Sequence, residues 1–159
     1  MKTNIQKSIK KTATEVVDEI KKLRKDGKTV VTTNGCFDLI HAGHIQYLEE
    51  SASLGDILIV GINSDASVKR LKGENRPLQS EGDRVLIMAA LKMVDYAFVF
   101  PEDDPREFLK IIKPDLHVKG GDYTEDILER VVVEDGGGKV AILSFKDGHS
   151  TTSIIDKMS

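Results

Sequence analysis

The sequence predicts a doubly wound α/β fold, a five-stranded parallel sheet with helices on both faces. Segments of strand length alternate with segments of helical periodicity almost from end to end. Asp56 to Asn63 (DILIVGIN) is a continuous apolar run, as expected of a strand covered on both faces. Polar clusters at Asn34 to His44, Asn63 to Arg76 and Lys119 to Tyr123 follow predicted strands. Such sheets bind ligands there, beyond the carboxyl ends of strands where strand order reverses.

Taken in order, Glu15 to Lys25 places Val16, Val17, Ile20 and Leu23 on one helical face, and Asp26-Gly27 ends it. Lys28 to Thr33 reads as a short β-branched strand, and Gly43 to Leu54 as a helix stopped by Gly55. After the second strand, Asp56 to Asn63, a short helix over Asp65 to Leu71 leads into a polar loop, Lys72 to Gln79. Ser80 with Asp83 resembles a capping arrangement for a helix reaching about Met93, with Val85, Leu86, Met88, Ala89 and Leu91 expected inside. Tyr96 to Phe100 is the third strand, and Asp104-Pro105 opens a helix to about Ile112. Leu116 to Lys119 and Val140 to Phe145 complete the sheet, and a last short helix begins near Thr151.

The 159 residues, 40% hydrophobic and 31% charged, suit one globular domain with a real core. A net charge of −3 provides no global field for nucleic acid or anionic lipid, and 5% aromatic residues argue further against RNA binding. The single cysteine, Cys36, excludes an intramolecular disulfide framework and suits a reducing compartment. No apolar run approaches a membrane span, and the basic start, Met1 to Lys11, lacks the apolar stretch of a secretory signal. A cytoplasmic protein is the expectation.

The strongest local signal is Asn34 to His44, NGCFDLIHAGH, which leaves the first strand and enters a helix near Gly43. A helix N-terminus there offers unpaired N–H groups and partial positive charge, which together attract anions. His41 lies in the approach and His44 on the first turn, so both imidazoles can face what binds, while Gly43 lets a phosphate near the backbone. A metal pair completed by Cys36 or Asp38 competes, although the spacing matches no common zinc pattern. Purely structural histidines are the other alternative.

Gly35-x-Phe37-Asp38-x-x-His41-x-Gly43-His44 resembles the HxGH signature of the cytidylyltransferase-like nucleotidyltransferases. A second element of that superfamily stands at Met93-Val94-Asp95-Tyr96, and a third at Gly148-His149-Ser150-Thr151-Thr152-Ser153-Ile154-Ile155. The resemblance implies a Rossmann-like nucleotide-binding fold, Mg²⁺ accompanying the nucleotide, and commonly a homodimer. It makes residues 28–159 the nucleotidyltransferase domain and residues 1–27 an N-terminal helical extension. Within the superfamily, Asn63 to Gly73 (NSDASVKRLKG), Arg76-Pro77 and Pro114 to Tyr123 (PDLHVKGGDY) look like the adenylyltransferases that make ADP-heptose from D-glycero-β-D-manno-heptose 1-phosphate and ATP. Glycerol-phosphate cytidylyltransferases instead carry Arg-Thr-x-Gly where this chain has Lys146-Asp147-Gly148.

That likeness implies an in-line displacement in which a sugar-phosphate oxygen attacks the α-phosphorus of ATP and pyrophosphate leaves. His41, His44 and Lys119 are then the catalytic set. Cys36, Phe37, Gly43, Lys92, Gly120, Asp122, Ser150, Thr151 and Thr152 line the nucleotide; Asp38, Lys69 and Lys72 meet the sugar phosphate. Asp38 reads equally well as a local cap of the turn, and Arg84 as a ligand contact or a helix-surface ion pair. No protein metal ligand is assigned. Lys92 departs from the family's usual Arg, and Leu128-Glu129-Arg130 departs from an expected Gly-containing loop. A cytidylyltransferase for glycerol 3-phosphate or another polyol phosphate, and a nucleotide-binding regulatory module without turnover, are the competing functions.

Overall fold

The computed structural model describes residues 4–121, 127–144 and 150–159. Its elements are α1 (Ile5–Ser8), β1 (Ile9–Lys10), α2 (Ala13–Lys25), β2 (Val30–Gly35), α3 (Ala42–Ala52), β3 (Ile57–Asn63) and α4 (Asp65–Lys72), followed by α5 (Glu81–Ala90), β4 (Tyr96–Phe100), α6 (Arg106–Ile112), β5 (Leu116–Gly120), α7 (Leu128–Asp135), β6 (Lys139–Leu143) and α8 (Thr151–Met158). Among the described residues, no helix is long and apolar enough to cross a membrane.

The sheet is parallel throughout, in the order β1-β4-β3-β2-β5-β6. It has six strands where five were expected. The extra one, β1, is two residues long and pairs Ile9 and Lys10 with Ala97 and Phe98 of β4. No two-residue strand carries a readable period, so tertiary pairing alone creates it. The order reverses between β2 and β5, and the crevice beyond their carboxyl ends is the natural ligand position.

Two apolar layers sandwich the sheet. On one face Tyr47 and Leu48 of α3 and Val85, Met88 and Ala89 of α5 pack with Val31, Leu58, Val60 and Val118. On the other, Val16 and Ile20 of α2, Phe108, Leu109 and Ile112 of α6 and Val133 of α7 pack with Val30, Ile59 and Phe98. The N-terminal helix α2 therefore lies on this chain's own sheet. α5 ends at Ala90 rather than near Met93, and Leu86, expected inside, is 41% exposed. It lies outside the stripe at Arg84, Val85 and Met88 that faces the sheet. The segment at 128–130, not read as helical from sequence, opens α7.

Three aspartates clip neighbouring strand starts in the same way. The N–H groups of Asp56, Asp95 and Asp115 donate to the carbonyls of Thr29, Leu58 and Val30 at 3.0 Å. Their carboxylates accept the N–H of the same three residues at 2.8 Å. Each satisfies a first backbone donor that the ladder leaves open.

Candidate active site

β2 ends at Gly35, and the chain turns through Cys36 and Phe37 into the approach to α3. Phe37 has φ +47°, and its buried ring lies so close that a Cβ on Gly35 would stand 2.9 Å from Phe37 Cε2. Glycine at 35 is thus required by the folded-back ring. His41 is the N-cap of α3, its Nδ1 accepting the His44 N–H at 3.4 Å. The two imidazoles stack with centroids 3.8 Å apart, and Phe37 meets His44 edge-on at 5.3 Å. His44 Nδ1 is buried without a hydrogen bond of ordinary geometry. Burial first, and then the neighbouring His41, push the His44 pKa down to about 4, against a smaller opposing pull from the Leu39 backbone. Burial thus keeps His44 neutral at pH 7.

A loop is tied across this turn. The Asp38 carboxylate accepts Arg76 Nε at 2.8 Å, Leu78 N–H at 2.9 Å and Gln79 N–H at 2.9 Å. Burial raises the Asp38 pKa, but these hydrogen bonds together outweigh it and hold the carboxyl below its usual range. The sequence left Asp38 between substrate contact and cap; in the structure the carboxylate anchors the 76–79 loop. Arg84, 1% exposed, gathers four acceptors: Gln79 O at 3.0 Å, Cys36 O at 2.7 Å, Asn63 O at 2.8 Å and Asp65 Oδ1 at 2.8 Å. It is neither a surface ion pair nor an open ligand contact, but a buried tie joining the ends of β2 and β3.

Other site residues converge from distant parts of the chain. Ser150 caps α8, and Thr151 Oγ1 donates to Leu39 O at 3.2 Å, bringing the start of α8 to the approach of α3. Thr152 is exposed on the same first turn. Gly43 is buried on the first turn of α3. Lys72 ends α4 near enough to Cys36 for its charge to act on the thiol, whose pKa burial nevertheless raises. Lys69, one turn back, reaches the exposed Glu74 at 3.6 Å. Lys119 and Gly120 end β5 at the switch point, with Lys119 Nζ bonded to Glu129 Oε1. Asp122 lies outside the described residues, as do Tyr123, Gly148 and His149.

A family model described as cytidylyltransferase-like matches residues 32–157. The chain belongs to the cytidylyltransferase-like family. Bifunctional protein HldE of Syntrophotalea carbinolica is 53% identical over 136 residues, 85% of this chain and 28% of that protein. The bifunctional protein HldE of Nitratiruptor sp. is 48% identical over 161 residues, 96% of this chain and 34% of that protein. The chain thus spans roughly a third of the length of these relatives. Among solved structures, the lipopolysaccharide core biosynthesis protein of Thermoplasma volcanium superposes with TM-score 0.64 at 34% identity, over 77% of this chain and 100% of that one. The pantoate-beta-alanine ligase of Francisella tularensis, TM-score 0.60 at 15% identity over 88% of this chain and 67% of that one, shares the fold.

One expected residue of the cytidylyltransferase-like site is not brought to it. Lys92 precedes β4, at the amino ends of the parallel strands, whereas the HxGH turn stands at their carboxyl ends. The neighbouring Met93-Val94-Asp95-Tyr96 element accordingly supplies a strand clip through Asp95. Sequence reasoning left Arg84 ambiguous and did not single out Glu129 as a site residue. The signal for Arg84 was present: a charge at position 84 shares the buried stripe of Val85 and Met88.

Two histidines of this cytidylyltransferase-like domain make its stability depend on pH. His117, buried with Nδ1 2.8 Å from Thr32 Oγ1, has its pKa pushed down to about 3 by burial and then by Lys119. His44 stands at about 4. Both bind fewer protons folded than unfolded, so their stabilisation is complete above about pH 6.5 and is lost as pH falls toward 4 for His44 and toward 3 for His117. We expect urea midpoints to fall between pH 7.5 and 5, with a limiting slope of about 1.4 kcal/mol per pH unit for each histidine. His44→Ala should flatten the curve; an unchanged slope would remove His44 from this effect.

Proposed function

We propose that the chain is an adenylyltransferase that transfers AMP from ATP to D-glycero-β-D-manno-heptose 1-phosphate, giving ADP-heptose and pyrophosphate for a lipopolysaccharide or related surface-glycan precursor. The observation that carries this reading is the HxGH turn, with two stacked imidazoles at the start of α3 and the start of α8 alongside. Similarity to the HldE proteins supports the sugar assignment. A phosphate oxygen of the sugar attacks the α-phosphorus, the bond from that phosphorus to the bridging oxygen breaks, and pyrophosphate departs. His41 and His44 donate hydrogen bonds to the phosphates as negative charge redistributes, and the helix N-termini add N–H donors without reorganising. The anion itself favours protonated imidazole, offsetting the depression that burial imposes on His44.

Mg²⁺ neutralises phosphate charge in such reactions. Among the described residues no group of three or more His, Cys, Asp or Glu converges to hold an ion, and the Asp38 carboxylate is engaged by the 76–79 loop. The metal would arrive on the phosphate oxygens of ATP and supply charge neutralisation there. Residues 28–159 carry the transfer chemistry, while α2 packs on the sheet face opposite α3 and α5. The reading places the protein in the cytoplasm as a homodimer.

Pyrophosphate release with Mg²⁺, crossing ATP and CTP against heptose 1-phosphate and glycerol 3-phosphate, tests this. Release with ATP and heptose phosphate alone is expected; release with CTP and glycerol phosphate would move the substrate assignment, and none from any pair would remove the enzymatic reading. Lys72→Ala should raise KM for the sugar phosphate by about tenfold with kcat little changed, as loss of one phosphate contact predicts. An unchanged KM would place Lys72 outside the substrate site.

A further inference from the structure

In β5, Val118 joins the core on the α3 face, so its successor Lys119 leaves the strand on the opposite face, toward α6 and α7. The stacked histidines belong to the α3 side, so Lys119 stands across the sheet from them, at the carboxyl end of β5. There the Lys119 ammonium is bonded to Glu129 of α7. The Glu129 side chain is 4% exposed and that of Lys119 21% exposed. A carboxylate so buried requires its cation, and the cation, held by it, loses the freedom of its four-carbon stem. Asp104 and Arg106, hydrogen-bonded to each other at 2.8 Å, flank the pair: Asp104, held below the usual carboxylate range first by Arg106, also feels the Lys119 charge.

We propose that Glu129 is a positioning residue, which fixes the Lys119 ammonium at the carboxyl end of β5 so that α7 sets where that charge meets substrate phosphate. The proposal rests on the nucleotidyltransferase reading above. It also gives a role to the 128–130 segment, which departs from the expected Gly-containing loop.

The test is a double-mutant cycle on Glu129→Gln and Lys119→Gln, read as kcat and KM separately and as the Kd for ATP by calorimetry, with circular dichroism confirming the fold. Wild-type turnover checks the nucleotidyltransferase reading alone; without it, the cycle is read on ATP affinity. Glu129→Gln should lower kcat/KM, or ATP affinity where that is the readout, by at least tenfold. The same change in the Lys119→Gln background should alter it by less than twofold, because Glu129 acts only through the lysine. Wild-type values for a folded Glu129→Gln protein, or effects that multiply across the cycle, would overturn the proposal. If Glu129→Gln does not fold, Lys119→Met/Glu129→Leu, an apolar replacement of the pair, is compared with Lys119→Met. Matching values support the proposal and a further tenfold loss overturns it.

Discussion

His44→Ala should lower kcat by a factor of about 100 to 1,000, the loss seen when one preorganised hydrogen-bond donor is removed from a transition state. The variant should melt within a few degrees of the wild type. His44 contributes a stacked ring and an edge-on contact with Phe37, and its buried Nδ1 makes no hydrogen bond of ordinary geometry that truncation would orphan. His41 gives a less clean experiment, because it also caps α3. Losing a cap costs about 1 kcal/mol, so His41→Ala mixes stability with chemistry. Single-turnover rates with ATP saturating separate the two: His44→Ala should slow the chemical step with ATP affinity reduced by less than tenfold. A His44→Ala enzyme with near-normal kcat would take the residue out of the mechanism.

Arg84→Met should be the most destabilising single change in the site, by about 3–5 kcal/mol, because removing this buried guanidinium orphans several acceptors at once. Four groups lose their donor at once: the carbonyls of Cys36, Asn63 and Gln79 and the carboxylate of Asp65. For a domain of this size that corresponds to a fall in Tm of roughly 10 °C. Arg84→Lys keeps the charge but not the planar fork, and one ammonium cannot span acceptors at the ends of β2 and β3 together. It should recover less than half of the lost stability. Because Cys36 O is one of the acceptors, activity at a temperature where the variant is folded should fall too. Thermal unfolding and kcat/KM on the same samples check both statements. An Arg84→Lys protein melting with the wild type would show that a point charge suffices and that the fork is not what joins the strands.

The elements legible in the sequence were those whose signal is local and periodic. Within DILIVGIN, Ile57–Asn63 became the fully buried strand β3, and the capping pattern at Ser80 appears with Ser80 Oγ accepting the Asp83 N–H at 3.2 Å. The HxGH turn was legible as well, because a glycine, two histidines and a strand-to-helix change within eleven residues constrain the backbone strongly. Asp95 was read as part of a family element without its physical role, since a strand clip depends on which strand lies beside it. Lys92 was assigned to the nucleotide on sequence likeness, yet it stands at the amino edge of β4.

By itself, then, the sequence determined the α/β alternation, the two covered faces of the sheet and the position of the HxGH turn, because hydrophobic period and turn chemistry are written within a few residues. Tertiary structure decided the rest. Pairing with β4 made a strand of Ile9 and Lys10. The strand order placed Lys119 at the switch point, and α7 supplied its counter-ion. Burial of Arg84 turned an ordinary helix charge into a tie among acceptors 5, 19, 21 and 48 residues away. These outcomes share one physical reason. A buried polar group must find its partners wherever the fold brings them, and those partners lie at sequence separations that no local pattern records.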